Sequence, residues 1–354
     1  MKIIKKLMQI ALAVFFFGLL ATSAVLADDA DSEGWKFVQE NGRTYYKKGE
    51  IKEKAWRVID GKYYYFDHVS GEMVVGWQYI PFPSKGSTIG PYPNGMRLEF
   101  MPMPRWYYFG KDGVLQEFVG KQVLEAKTAT NTNKHHGEQY DSPAEKRVYY
   151  FEDQRSYHTL KTGWVHDEGH WYYLQKDGGF DARIDSLTVG ELVRGWTNDN
   201  STWYYLDPTT AAMQTGWNYL GNKWYYLRSS GAMATGWYQE GSTWYYLDDL
   251  NGDMKTGWKQ LGNKWYYLLS SGAMTTGWYQ EGSTWYYLEQ SNGDMKTGWQ
   301  YLGNKWYYLR SSGAMVTGWF QVNGKWYYAY SSGALAVNTT VDGYSVNYNG
   351  EWVR

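Results

Sequence analysis

Residues 215–233 read Thr215-Gly216-Trp217-Asn218-Tyr219-Leu220-Gly221-Asn222-Lys223-Trp224-Tyr225-Tyr226-Leu227-Arg228-Ser229-Ser230-Gly231-Ala232-Met233. Two aromatic runs flank Leu220-Gly221-Asn222-Lys223, the signature of a β-hairpin: rings favour strands, and glycine admits the positive φ of a tight turn. Alternation along the second strand puts Trp224 and Tyr226 on one face and Tyr225 and Leu227 on the other. One hairpin cannot bury both faces, so each needs a neighbour on either side.

The sequence supplies those neighbours. Gly-Trp pairs end at Trp164, Trp196, Trp217, Trp237, Trp258, Trp278, Trp299 and Trp319, and from Trp196 the spacing alternates between 21 and 20 residues. Seven residues after each comes a second tryptophan, at Trp171, Trp203, Trp224, Trp244, Trp265, Trp285, Trp306 and Trp326, opening a Trp-Tyr-Tyr triplet. A turn and a methionine follow, at Met213, Met233, Met254, Met274, Met295 and Met315, with Leu335 in the last unit. A fixed period of this size predicts an all-β solenoid of stacked hairpins, each repeat stabilised by the next and the terminal ones acting as caps.

Composition agrees with that architecture. The 354 residues include 36 Tyr, 21 Trp and 40 Gly, and 19% are aromatic, far from ordinary globular usage. Large rings with polar handles build many small flat surfaces more easily than one deep aliphatic core. With zero cysteines, disulfides and thiolate metal sites are excluded, and stability must come from repeat stacking.

Lys2, Lys5 and Lys6, the apolar run from Ile10 to Leu20 and the small residues around Ala24 and Ala27 have the order of a secretory leader, with cleavage expected after Ala27. The apolar run is shorter than the ~20 residues that span a bilayer, so no transmembrane anchor is expected. Loss of three leader lysines moves the formal charge from -1 to -4, which gives no support to nucleic acid or anionic lipid as partner.

Four segments are expected: the leader over 1–27, an irregular repeat region over 28–194, regular repeats over 195–337 and a capping tail over 338–354. Degraded copies in the irregular half include Trp35 with Tyr45 and Tyr46, and Trp56 with Tyr63, Tyr64 and Tyr65; about twelve units are counted in all. Two of these are interrupted, one between Trp77 and Trp106 by a segment holding six of the eight prolines, the other by the polar stretch Gly120 to Val148. Both read as exposed insertions, and a smaller one near Asp181 to Glu191 marks the boundary with the regular half.

A quaternary ammonium has no N–H to donate, so aromatic faces are what can hold it, and each repeat junction supplies them. A nearby methionine can close such a cage with a polarizable thioether. At Thr215-Gly216-Trp217, Trp224-Tyr225-Tyr226-Leu227 and Gly231-Ala232-Met233 the sequence closely resembles the choline-binding proteins of Gram-positive cocci, strongly from Gly195 to Leu335 and weakly before Trp164. The resemblance implies a left-handed stack of hairpins that holds choline between consecutive repeats with two Trp, one Tyr and often a Met. Carried over residue by residue, it implies cages from Trp196 and Trp203 with Tyr226, Trp217 and Trp224 with Tyr246, and Trp237 and Trp244 with Tyr267. Three more follow: Trp258 and Trp265 with Tyr287, Trp278 and Trp285 with Tyr308, and Trp299 and Trp306 with Tyr328. Met233, Met254, Met274, Met295 and Met315 would close them, and Trp164 and Trp171 with Tyr205 would make a seventh. Several of the units from Trp35 to Lys161 lack one of the two tryptophans, and these units are expected to stack without binding choline or to bind it poorly.

Titratable residues cluster in the irregular half, at His135, His136, Glu138 and Asp141, and at His158, His166, Asp167, Glu168 and His170. Their spacing matches no metal motif, and His135 and His136 read as part of a solvated loop. No cofactor and no catalytic site are expected, since no insertion has the ~50 residues of a separate catalytic domain. The expected function is non-covalent retention on the cell wall through phosphocholine of teichoic or lipoteichoic acid. Modulation of choline-dependent wall hydrolases, or contact with a host protein, is a further expectation. The alternative is a glucan-binding repeat protein or host adhesin, since aromatic repeats also stack on sugars.

Overall fold

The computed structural model describes residues 34–81, 104–138, 145–153, 158–176 and 187–353. The expected leader, the proline-rich segment over 82–103 and most of the insertion near Asp181 lie outside the described residues. The described secondary structure is all-β, and no described helix is long and apolar enough to cross a membrane. The chain divides into two compact units, one ending at Val193 and the other beginning at Arg194.

In the second unit seven two-stranded hairpins follow one another, from Gly195–Asp199 with Thr202–Leu206 to Gly318–Val322 with Lys325–Ala329. The hairpin Gly216–Leu220 with Lys223–Leu227 sets Trp217 opposite Tyr226 and Tyr219 opposite Trp224. Its turn residues Gly221 and Asn222 have φ of 54° and 64°, the left-handed pair that matches the twist of adjoining strands. Thr339–Val341, Tyr344–Val346 and Trp352–Val353 complete the unit as a three-stranded sheet.

Two ladders hold these hairpins together. The leucine that ends each Trp-Tyr-Tyr triplet (Leu206, Leu227, Leu247, Leu268, Leu288 and Leu309) is fully buried. Each such side chain contributes on the order of 1.5–3 kcal/mol. Main-chain bonds form the second ladder: the N–H of Met233 donates to the Trp203 carbonyl at 2.8 Å, Met254 to Trp224 at 2.8 Å, and Met274 to Trp244 at 2.7 Å. The loop of one repeat is thereby tied to the strand of the repeat before it.

The first unit uses the same hairpins with departures. Lys36–Glu40, Arg43–Lys48 and Ile51–Lys52 form one sheet, and Ala55–Ile59 pairs with Lys62–Phe66. Val74–Pro81 pairs with both Pro104–Phe109 and Lys134–His135, Gly120–Glu125 with Lys146–Phe151, and Gly163–Asp167 with His170–Leu174.

The stretch Gly120 to Val148, expected as an exposed insertion, is instead partly core. It supplies the strand Gly120–Glu125, and Ala126, Lys127 and Asn131 are buried. Polar residues are tolerated there because they are hydrogen-bonded: Asn131 Nδ2 donates to the Ala126 carbonyl at 2.8 Å, and Asn131 Oδ1 accepts from the Thr128 N–H at 2.7 Å.

Candidate aromatic binding sites

In the second unit the two tryptophans of a hairpin share one face, and in five of the seven hairpins they meet nearly at right angles. Trp196 and Trp203 lie 6.5 Å apart at 83°, Trp217 and Trp224 6.5 Å at 83°, and Trp237 and Trp244 6.3 Å at 87°. Trp278 with Trp285 and Trp299 with Trp306 are both 6.4 Å apart, at 83° and 86°.

The third wall comes from the next hairpin, one residue earlier than expected. Tyr225 stands 5.0 Å from Trp196, Tyr245 4.9 Å from Trp217 and Tyr266 5.0 Å from Trp237. Tyr286 is 4.8 Å from Trp258, Tyr307 4.9 Å from Trp278 and Tyr327 4.9 Å from Trp299. The expected Tyr226, Tyr246, Tyr267, Tyr287, Tyr308 and Tyr328 are directly opposite the first tryptophan of their own hairpins. They therefore back the following junction instead of closing the preceding one. Period-two alternation is the cause: in Trp-Tyr-Tyr only the middle residue turns away from the face that carries the tryptophans.

Two such junctions form open pockets of clear composition. One of about 480 Å³ is lined by Trp196, Trp203, Tyr225 and Met233, with Lys223, Leu250 and Asn251 at its edge. Another of about 340 Å³ includes Trp299, Trp306, Tyr327, Leu335 and Glu351. Met254, Met274, Met295 and Met315 occupy the loop position of Met233, each with its N–H on the carbonyl of the second tryptophan of the preceding hairpin.

A pocket absent from the expectations closes the series. Trp319, Trp326, Tyr344 and Trp352 line about 370 Å³, with Tyr344 5.6 Å from Trp319 and 6.0 Å from Trp352, both near right angles. The Gly318-Trp319 and Trp326 spacing was a visible signal, but Tyr344 and Trp352 lie in what reads as a capping tail. Here Trp352 adds a fourth aromatic wall.

The second tryptophan of each pair is left 37–45% exposed in every hairpin from Trp203 to Trp326. Seven large indoles half in water thus repeat along the second unit as exposed apolar surface. In the first unit Trp56, Trp77 and Trp106 are at most 4% exposed, whereas Trp171, the second tryptophan of its pair, is 46% exposed.

The junctions are of two kinds. Trp217 Nε1 donates to Glu240 Oε2 at 3.1 Å and Trp258 Nε1 to Glu281 Oε2 at 3.0 Å, fixing the indole and placing a carboxylate beside the cage. At these same junctions Tyr226 stacks on Tyr238 at 3.9 Å and Tyr267 on Tyr279 at 4.0 Å. At the junction that follows Trp237, Lys259 lies over the Tyr246 ring at 5.6 Å instead.

The titratable residues of the first unit make structural contacts. His135 and His136, expected in a solvated loop, are part-buried: His135 Nδ1 lies 3.2 Å from Glu72 and 3.5 Å from Glu138, and Arg43 pairs with both carboxylates. Glu72, His135 and Glu138 bring potential ligand atoms within 4.8 Å of one another, and the Arg43 guanidinium already pairs with both carboxylates. His136 Nδ1 lies 2.7 Å from Thr44 Oγ1, and burial pushes its pKa down. His158 Nδ1 is 2.9 Å from the Phe118 carbonyl and His170 Nδ1 3.1 Å from that of Glu168. Tyr150 donates to Asp167 at 2.9 Å, and His166 packs 5.1 Å from the Trp171 ring. Asp141 lies outside the described residues. Trp164 and Trp171 belong to the first unit and Tyr205 to the second.

Comparison with known proteins fits this geometry. The family described as choline-binding repeat matches residues 214–256, 255–298 and 296–339, and a family of cell wall binding repeats matches 105–115, 162–180 and 195–209. None of the curated proteins compared with the chain matches it. The structure of CbpJ from Streptococcus pneumoniae TIGR4 is 67% identical, with 90% of this chain and 100% of that chain covered and a TM-score of 0.66. The chain belongs to the choline-binding proteins. Choline binding protein F of S. pneumoniae is 55% identical, with 91% and 99% covered and a TM-score of 0.69. The two repeat families together thus match stretches of both units.

Proposed function

We propose that this choline-binding protein is a non-catalytic surface protein that attaches to the cell wall by holding phosphocholine groups of teichoic or lipoteichoic acid in the second-unit cages. The observation that carries the reading is the half-exposed second tryptophan set perpendicular to its partner and faced by a tyrosine from the next hairpin. A trimethylammonium head fits such a box because it offers diffuse positive charge and methyl contacts and asks for no hydrogen bond. Choline binding protein F, 53% identical in one structure, has been solved in complex with ipratropium, a compound whose nitrogen is quaternary. It has also been solved in the presence of a peptidoglycan analogue, a tetrasaccharide-pentapeptide.

A single cage offers about 0.5–2 kcal/mol per ring contact before the entropy of association, which leaves it near millimolar. Several cages on one chain facing a polymer with repeated choline raise the avidity by orders of magnitude. Occupying choline that wall hydrolases also need would modulate their action. The test is retention on a tertiary-amine resin with release by millimolar choline, and no retention on dextran; retention on dextran alone would sink the reading in favour of glucan. A wall-lysis assay at saturating protein tests the regulatory part, and unchanged lysis removes it.

A further inference from the structure

One junction of the first unit repeats the cage geometry almost to the ångström. Val74–Pro81 and Pro104–Phe109 set Trp77 opposite Tyr108 and Tyr79 opposite Trp106, the register of Trp217 with Tyr226 and Tyr219 with Trp224. Trp77 and Trp106 are 6.3 Å apart at 84°, against 6.5 Å at 83° for Trp217 and Trp224. Tyr149, from the next hairpin, stands 4.8 Å from Trp77 at 61°, against 4.9 Å at 62° for Tyr245 and Trp217. The Leu160 N–H donates to the Trp106 carbonyl at 2.9 Å, as Met233 does to that of Trp203.

What differs is the content of the box. Lys127 Nζ lies 4.2 Å from the Tyr149 ring centre, 4.7 Å from Trp77 and 5.5 Å from Trp106, and donates to the Val189 carbonyl at 2.8 Å. Lys127 is 4% exposed. We propose that Trp77, Trp106 and Tyr149 form an ammonium cage of the same type as those of the second unit, permanently filled by the chain's own Lys127 and so closed to choline.

The physical chemistry supports a tethered occupant. Burying an ammonium is costly unless its charge is met, and here three ring faces and a carbonyl offset part of that cost. Burial pushes Lys127 down to about 7, while the Glu191 carboxylate acts in the opposite sense. A primary ammonium is a weaker guest than a trimethylated one in water-free contact area, but an attached guest loses no translational freedom on entry. Free choline near millimolar cannot displace it on those terms. This inference rests on the reading of the second-unit cages as quaternary-ammonium sites.

Lys127→Ala tests it. Equilibrium dialysis should count one more choline site in the variant than in the native chain. Its thermal transition should fall and be at least half restored by tens of millimolar n-butylammonium, the excised side chain, with no such effect on the native chain. Lys127→Met, which fills the volume without the charge, should gain no site yet melt below the native chain. A folded Lys127→Ala with neither an added site nor rescue overturns the proposal. If Lys127→Ala refolds only with n-butylammonium the proposal stands; if it does not refold at all, a Lys127→Met as stable as the native chain overturns it. Absence of any choline binding by the native chain would instead sink the second-unit reading, and the n-butylammonium result would still decide the content of the first-unit cage.

Discussion

The thioether of Met233 occupies the space that a side chain on Gly252 of the following repeat would need: a Cβ there would stand 2.5 Å from the sulfur. The same meeting joins Met254 to Gly272, Met274 to Gly293, Met295 to Gly313 and Met315 to Gly333, so each repeat rests a methionine on the bare backbone of the next. The methionines thus have a packing role in addition to any part in a cage. Gly252 also sits at a φ of 73°, where a side chain is strained.

Gly252→Ala should therefore destabilise the second unit by about 2–4 kcal/mol, from overpacking of about 1–3 kcal/mol and left-handed backbone strain of about 1 kcal/mol. Urea unfolding followed by tryptophan fluorescence measures it. A loss below half a kcal/mol would mean the methionine moves aside freely.

The register of the third wall separates two neighbouring tyrosines. Tyr245→Leu should remove one choline site, that of Trp217 and Trp224, because its ring faces Trp217. Tyr246→Leu should keep the number of sites and lower stability, because that ring is buried opposite Trp237 of its own hairpin. Choline-site counts by equilibrium dialysis distinguish them, and a reversed pattern would refute the assignment.

Trp352→Ala should lose one site, since Trp352 lines the pocket with Trp319, Trp326 and Tyr344 and not the one with Trp299 and Trp306. Choline stabilises whatever binds it in the folded state, by about 2.7 kcal/mol per site at a hundredfold excess over the dissociation constant. The rise in melting temperature with choline should accordingly be smaller in the variant than in the native chain.

Asp248 gives a pH test. Backbone N–H groups of Asn251 and Leu250 and the Lys255 ammonium hold its carboxyl down at about 2, below the unfolded value of 3.8. A lowered folded pKa contributes stability that is fully present above the unfolded value and lost as pH falls through the folded one. The native chain should therefore lose urea resistance between pH 4 and pH 2 more steeply than Asp248→Asn, which starts lower at pH 5. Parallel curves would show that these bonds contribute nothing.

Much of this was legible in the residues because one physical signal repeats. The two tryptophans seven apart gave the hairpin, its turn and the pair of perpendicular walls, since strand alternation fixes their common face. The third wall was misplaced by a single position: Tyr225 and Tyr226 are chemically identical, and which faces the preceding hairpin depends on the stacking direction, which composition does not encode. Tyr344 and Trp352 escaped because they approach Trp319 through a three-stranded sheet that lacks the Gly-Trp signature. Lys127 escaped for a different reason. A polar stretch with four lysines reads as solvated until the rings that receive Lys127, 50 residues earlier at Trp77 and 22 later at Tyr149, are brought together by the fold.

The pairing of Trp217 with Glu240 and of Trp258 with Glu281 shows that hairpins come in unlike couples, and Trp217 and Trp258 are 41 residues apart. A genetic deletion or duplication of one couple joins surfaces that already match, whereas one of 20 or 21 residues sets like surfaces against each other. On this geometry a step of two hairpins keeps the partners of each of these junctions matched.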